Sequence, residues 1–195
     1  APSARLNCYW QNPRLCRSRF WDVSMLKNLT NAALFQIGWF TCVLGGNSGW
    51  LLITFVILVI HLLLIGSWRS EGKLLLTVFA LGCVLDSALI KLGVFDFGEA
   101  GRVIPLWLAL LWPLLATTLG HCLAWSARPL WLASALGAVG GPASYIAGSH
   151  LTYVQLPLGV WPSVLILGAI WAVIFPLLHW LAGYFREARS DEVSA

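Results

Sequence analysis

The stretch that decides the fold is LLLTVFALGCVLDSALIKLGVF, at positions 74–95. It contains no proline, and its charged side chains are Asp86 and Lys91. A helix of this length, at about 1.5 Å per residue, matches a bilayer hydrocarbon core about 30 Å thick. The run is continuously apolar and does not alternate, which indicates a helix and not a strand of a membrane barrel. The stretch is therefore predicted to be a transmembrane helix.

Five further apolar runs have a similar length and bring the prediction to six transmembrane helices. They lie at 29–46, 50–67, 104–125, 130–149 and 160–184. The composition agrees, since 59% of the residues are hydrophobic, 10% are charged and the mean hydropathy is +0.80. A soluble domain has about 25% charged residues. The predicted fold class is therefore all-α, as a polytopic protein whose main partner is the lipid bilayer.

Lysine and arginine indicate how the helices are oriented in the membrane. Ten of the 12 such residues lie on one predicted side, in the N-terminal segment, the second and fourth loops and the tail. The opposite side carries Arg102 alone, and Lys91 lies within a span. Cytoplasmic loops are the ones enriched in these residues. Both termini are thus predicted to be cytoplasmic. The net charge of +4 is attributed to orientation and anionic lipid, and nucleic acid is not an expected partner.

The residues before Met25, the sole methionine, are basic and polar and have no apolar core of their own. We expect residues 1–24 to be a disordered arm or an upstream stretch that does not belong to the native protein. The transmembrane domain is expected at 25–186, followed by a cytoplasmic tail at 187–195.

Asp86 is the sharpest candidate for a functional residue, because an ionisable side chain inside a bilayer is energetically costly. Counting along the predicted helices puts Trp112, Pro142, Ser144 and Tyr145 at about the same depth. Indole, hydroxyl and phenol groups are donors that a buried carboxyl group could use. The alternative interpretation is a protonated carboxyl group that only ties helices together. We favour the functional interpretation.

Thr118 and His121 lie on the inner half of the fourth predicted span, and with Asp86 they are the candidate catalytic residues for handling protons in the bilayer. His61, His121 and His179 could together gather a metal ion. No HExxH or HxxxH spacing occurs, so we expect no metal and no cofactor. His121 and His179 are instead expected to be solvated near the lipid headgroups.

Gln36 and His61 are predicted to form a second polar pair. They lie at nearly equal distances before and after Ser48, the centre of the first hairpin, so antiparallel packing would match their depths. We interpret the pair as an interhelical hydrogen bond worth about 1 kcal/mol, and as part of a polar pocket.

The fifth span carries Gly137 and Gly141 in GxxxG spacing, directly before Pro142. Close packing against a neighbouring helix would explain the glycines. A broken helix that lines a cavity would explain the Gly-Gly-Pro step. Both interpretations stay open at this point.

Several motifs, in this order along the chain, resemble a family of small bacterial inner-membrane proteins. They are NAALFQIGWFTCVLGG at 31–46, Leu85-Asp86-Ser87 with Gly93-Val94-Phe95, Pro105-Leu-Trp107 through Thr118-Leu-Gly-His121, and Gly141-Pro142 with Tyr145. The family is catalogued as domain of unknown function 2878, and the resemblance spans about Met25 to Tyr184. It implies a multi-pass protein of the bacterial inner membrane that starts near Met25, and it implies no particular activity.

Three functions are compatible with the sequence. A membrane-embedded enzyme or accessory factor for a lipid or other apolar molecule would have a cavity that reaches Asp86. A small transporter, built as a homo-oligomer such as a dimer, would bind substrate or a proton at Asp86 beside a broken fifth helix. A structural or assembly subunit would be a dry bundle with every polar group satisfied internally. No predicted span has the polar stripe of a water-filled pore, which favours the first function.

Overall fold

A computed structural model describes residues 13–98 and 104–194 of the chain, with side chains from 23 to 98 and from 104 to 188. These residues form six α-helices and one 3₁₀ helix, at Ala124–Ala127. The α-helices are α1 (Pro13–Gly45), α2 (Leu51–Leu64), α3 (Trp68–Lys91), α4 (Leu106–Leu119), α5 (Leu130–Leu151) and α6 (Val160–Ser194). The described residues contain no β-strand, and the loops before α4 and before α6 meet in a single bridge between Asp96 and Gln155. The predicted all-α class is confirmed.

Three of the described helices are long and apolar enough to cross a membrane, namely α3, α5 and the part of α6 at Val160–Ala188. Helices α2 and α4 have 14 residues each, which gives about 21 Å at 1.5 Å per residue and is less than the hydrocarbon core. Helix α1 is longer, but the polar residues Asn28, Asn31 and Gln36 lower the mean hydropathy of its apolar run. By length and composition, the prediction of six spans is therefore confirmed for three helices only.

The helix limits differ from the predicted ones where a local signal overrides hydropathy. Helix α3 begins at Trp68, before the predicted start at 74, because the side chain of Ser67 caps it by accepting the N–H of Ser70 at 3.2 Å. Helix α4 ends at Leu119, before the predicted limit of 125, and Gly120 follows it. The first helix starts at Pro13, so residues 13–24 of the predicted disordered arm are helical. Residues 1–12 lie outside the described residues.

Helix α4 lies at the centre of the bundle. It packs against α1, α3, α2 and α6, and ten of its 14 residues are buried. Helix α5 packs mainly on α6, and α1 packs mainly on α4 and α2. Helices α1 and α5 approach each other at few positions, and a gap lined by Trp39 of α1 and Gly140 of α5 lies between them.

Glycines permit the closest helix contacts. A side chain at Gly82 of α3 would collide with the indole ring of Trp112 on α4. Side chains at Gly137 and Gly141 of α5 would collide with Trp171 of α6. Helix α5 also continues unbroken through Pro142. The GxxxG spacing therefore serves close packing, and the alternative of a broken fifth helix is wrong.

Candidate functional site

Asp86 lies on the buried face of α3, where buried residues recur every three or four positions at Val78, Gly82, Asp86 and Leu89. This face is directed at α4, and the Asp86 side chain is 0% exposed. Its Oδ2 atom accepts a hydrogen bond from the Trp112 indole N–H at 2.7 Å. Its Oδ1 atom accepts one from the Tyr145 hydroxyl at 2.6 Å. A single carboxyl group thus links α3, α4 and α5.

The two donors were among the three polar residues predicted to share the depth of Asp86. Ser144, the third, lies elsewhere in the network, because its hydroxyl oxygen accepts the indole N–H of Trp39 at 3.0 Å. That bond crosses the gap between α1 and α5. Counting residues along the predicted helices therefore identified the correct depth in the bundle. It could not determine which face of α5 carries Ser144.

Both partners of Asp86 belong to an aromatic cluster. Trp112 stacks on Trp171 with ring centroids 5.3 Å apart, and Tyr145 stacks on Phe95 at 4.9 Å. The rings of Tyr145 and Trp171 meet edge to face at 6.2 Å. Because Asp86 holds one polar atom of each partner, it fixes how the Trp112 and Tyr145 rings are oriented in the cluster.

A cavity of about 350 Å³ lies against this aromatic cluster. This volume falls in the range of about 300–1,000 Å³ that is usual for small-molecule sites. Its walls come from α1, α4, α5, α6 and the loop after α3, and they include Trp39, Phe97, Trp107, Trp112, Tyr145, Trp171 and Phe175. Gly140 also lines the cavity and is exposed, so the cavity reaches the outer surface of the bundle. The site is therefore apolar, aromatic and partly open.

Asp86 itself does not line the cavity, although Trp112 and Tyr145 both do. The sequence predicted a cavity that reaches Asp86, whereas the cavity reaches only the partners of Asp86. The carboxyl group can therefore influence a bound molecule by orienting these two rings. Direct contact between Asp86 and a molecule in the cavity is not part of this geometry.

Trp171 also lines the cavity, while its indole nitrogen is enclosed by the protein. The indole N–H makes no hydrogen bond of standard geometry among the described residues, and the Tyr145 hydroxyl lies beside it. Trp171 therefore offers the cavity an apolar ring surface.

Thr118 and His121, the other two candidate catalytic residues, are not brought together with Asp86. The Thr118 hydroxyl donates to the carbonyl oxygen of Leu115 at 2.6 Å, and Thr118 lies roughly 9 Å along α4 from Trp112. His121 contacts Glu71 instead, with Nε2 to Oε1 at 2.9 Å. The described contacts therefore separate these residues from the aromatic site.

The predicted pair of Gln36 and His61 does not form. Gln36 is exposed, while Asn31, on the opposite face of α1, is buried and places its Nδ2 atom 3.2 Å from His61 Nδ1. Asn31 shares its face with Gly38 and Cys42, at helical spacings of seven and four residues. Matching depth alone thus selected the wrong polar residue of α1, and this buried stripe was the signal that could have corrected it.

A second polar cluster, the His–Glu–His cluster, consists of His61, Glu71 and His121. His61 Nε2 lies 2.7 Å from Glu71 Oε2, and His121 Nε2 lies 2.9 Å from Glu71 Oε1. The sequence indicated both histidines but missed Glu71, since it lies outside the predicted apolar run. His179 is not a member, because it pairs with the Ser126 hydroxyl at 2.9 Å and is 6% exposed. The expectation of a solvated His179 is therefore wrong.

Comparison with known proteins adds a family and no activity. A family model described as "Protein of unknown function (DUF2878)" matches residues 28–177, which include both the aromatic site and the His–Glu–His cluster. No curated protein and no solved structure matches the chain. Because the family model covers most of the chain, the protein belongs to the DUF2878 family of proteins of unknown function.

Proposed function

We propose that this protein is a multi-pass protein of the bacterial inner membrane that binds a lipid or another apolar molecule in its aromatic cavity. The observation that carries this proposal is the cavity of about 350 Å³, whose wall holds Trp112 and Tyr145 in the orientation set by Asp86. Its role is that of an accessory factor or enzyme for such a molecule, in which Asp86 is a positioning residue.

The chemistry of the lining argues for an apolar ligand with one polar point. Aliphatic and aromatic side chains make up nearly all of the wall, and the hydroxyl groups of Ser144, Tyr145 and Ser149 are a small minority. The Ser144 hydroxyl, which accepts the Trp39 N–H, would donate its own hydrogen to an oxygen of the ligand. A lipid chain with a carbonyl, ether or hydroxyl oxygen has this combination of groups.

The gap between α1 and α5 supplies a lateral route from the bilayer. The exposed Gly140 lines the cavity on α5, and the hydrogen bond from Trp39 to Ser144 crosses the gap. A ligand that is itself dissolved in the membrane would reach the cavity without passing through water. This route fits an apolar molecule better than an ion.

All six helices are proposed to cross the membrane, with both termini in the cytoplasm. The short helix α4 is surrounded by other helices of the bundle, and the 3₁₀ helix at Ala124–Ala127 follows closely. A helix enclosed in this way does not have to satisfy the hydrocarbon thickness by itself. The excess of lysine and arginine on one predicted side supports the orientation.

The geometry favours neither alternative function. A structural subunit would be a dry bundle whose polar groups are all satisfied internally, whereas this bundle encloses a cavity of about 350 Å³. A transporter built on a broken fifth helix lacks that element, since α5 is continuous.

The test is photocrosslinking of the purified, membrane-reconstituted protein with a photoactivatable fatty-acid analogue, followed by mapping of the labelled peptides. The variant Gly148→Leu fills the cavity, because Gly148 is buried, lines the cavity and has no atom within 4 Å of the position that a β-carbon would take. Gly183→Leu is the matched control, because Gly183 on α6 also has open space but lies outside the cavity lining.

We expect wild-type protein to be labelled at cavity residues and Gly148→Leu to reduce labelling at least about fivefold, as a ligand-sized space is lost. Gly183→Leu should label like wild type. Equal labelling of all three proteins, or labels confined to the outer surface, would show that the cavity does not bind the lipid chain.

A further inference from the structure

The His–Glu–His cluster is a second site, away from the aromatic cavity. Its three residues come from the last turn of α2, the first turn of α3 and the residue that follows Gly120 after α4. His61 is fully buried, whereas the side chains of Glu71 and His121 are 16% and 20% exposed. The cluster is therefore closed on the His61 side and accessible from the end of the bundle.

We propose that this cluster binds a divalent transition-metal ion such as Zn²⁺, through His61 Nε2, His121 Nε2 and the carboxylate of Glu71. This inference does not depend on the proposed function of the cavity. Two imidazoles and one carboxylate are a donor set found in zinc sites that keep a fourth position open. The aromatic site offers no comparable set of donors.

The distances are close to those that a metal ion requires. The possible ligand atoms of the three residues all lie within 4.8 Å of one another. Metal bonds of about 2.0–2.2 Å in tetrahedral geometry put neighbouring ligand atoms roughly 3.4 Å apart. The two contacts between imidazole and carboxylate, at 2.7 and 2.9 Å, would therefore open by roughly 0.5–0.7 Å.

The backbone of the α2–α3 connection provides room for Glu71. A side chain at Gly66 would collide with the carboxylate group of Glu71. The imidazole rings of His61 and His121 meet edge to face, with centroids 5.2 Å apart, on two sides of that carboxylate. The three donors thus converge before any ion is bound, which lowers the cost of assembling the site.

Asn31 controls which nitrogen of His61 carries the proton. Its Nδ2 atom donates to the Thr117 carbonyl oxygen at 3.1 Å, and its Oδ1 atom accepts the Cys122 N–H at 3.3 Å. These two backbone groups fix the orientation of the amide, so Nδ2 also donates to His61 Nδ1. The proton of a neutral His61 is then on Nε2, where it is donated to Glu71.

Metal binding at His61 Nε2 moves that proton to Nδ1 and replaces two N–H···O bonds with metal bonds. A metal-bound histidine donates its other ring N–H to an acceptor, so Asn31 would have to present Oδ1 and give up its bonds to the Thr117 carbonyl and the Cys122 N–H. Asn31 therefore sets the affinity of the metal site, and its present orientation lowers that affinity. An aspartate at this position would accept the Nδ1 proton without turning over and would keep the bond from the Cys122 N–H.

The experiment measures zinc content by mass spectrometry after the full-length protein, purified in detergent, is loaded with Zn²⁺ and dialysed. Wild type should keep about one equivalent, and Glu71→Gln and His121→Ala should each lower retention at least about tenfold. His150→Ala is the matched control, since this exposed histidine lies outside the cluster, and it should retain wild-type zinc. Circular dichroism checks that each variant folds.

Cobalt substitution gives a second readout, which reports the coordination of the bound metal directly. Wild type with Co²⁺ should show the intense visible absorption of a low-coordinate site, and Asn31→Asp should bind roughly tenfold more tightly, in line with the effects of outer-shell partners. Either of two results would overturn the proposal. One is a wild-type protein that retains no metal, and the other is a folded Glu71→Gln variant that retains as much metal as wild type.

Discussion

At the scale of single residues, the central fact is that one carboxyl group accepts two donors from two other helices. Asp86 has a 0% exposed side chain, and water is not at hand in a bilayer to replace either bond. The bonds from Trp112 and Tyr145 therefore define both the local packing and the shape of the cavity wall. Substitutions at Asp86 can separate this positioning role from proton chemistry.

Asp86→Asn should preserve the site, because the amide oxygen can accept the Trp112 N–H while the amide NH₂ group donates to the Tyr145 oxygen. Lipid crosslinking should then stay within about twofold of wild type. Asp86→Leu leaves two buried donors unpaired and should cost about 2–6 kcal/mol, at about 1–3 kcal/mol for each donor. Unfolding in a denaturing detergent measures stability, and crosslinking measures the site. A folded Asp86→Asn protein that no longer captures lipid would contradict the positioning role, because it would show that the site requires the carboxyl group itself and not merely its two hydrogen bonds.

At the scale of helices, close contact between α3 and α4 depends on one missing side chain. Gly82→Ala would place a methyl group in the indole ring of Trp112, so α3 and α4 would have to separate and the bond to Asp86 would weaken. We expect a loss of about 1–3 kcal/mol, as is usual for overpacking. Gly183→Ala is the control within a helix, and it should be neutral or stabilising by up to about 1 kcal/mol. Equal effects in unfolding experiments would contradict the proposed contact.

The helices also show which features the sequence could predict. Apolar runs placed six helices in the correct order, and depth counting linked Asp86 with Trp112 and Tyr145. Hydropathy could not reveal the cap at Ser67, which moved the start of α3 to Trp68 and brought Glu71 onto that helix. Face assignment failed at Gln36, and the structure has Asn31 in its place, because depth along a helix does not fix the rotation about its axis.

At the scale of the whole molecule, the number of membrane crossings determines which sites lie on the same side of the membrane. If α2 crosses, the loop before it and the loop after it face opposite compartments, and the same holds for the segments before and after α4. The proposed topology puts the His–Glu–His cluster at the cytoplasmic end, where cellular metal ions would reach it. If only α3, α5 and α6 crossed the membrane, the segments that flank α2 would lie on the same side, and so would those that flank α4.

Single cysteines introduced into a variant without native cysteines test this topology. Asn47→Cys and Arg69→Cys flank α2, while Leu92→Cys and Arg128→Cys flank α4, and all four positions are exposed. A membrane-impermeant maleimide should label Asn47→Cys and Leu92→Cys in intact spheroplasts, but Arg69→Cys and Arg128→Cys only after the membrane is opened. If the two cysteines that flank either helix label from the same side, that helix does not cross. Such a result for α4 would remove the enclosed central helix on which the cavity and the six-span topology both depend.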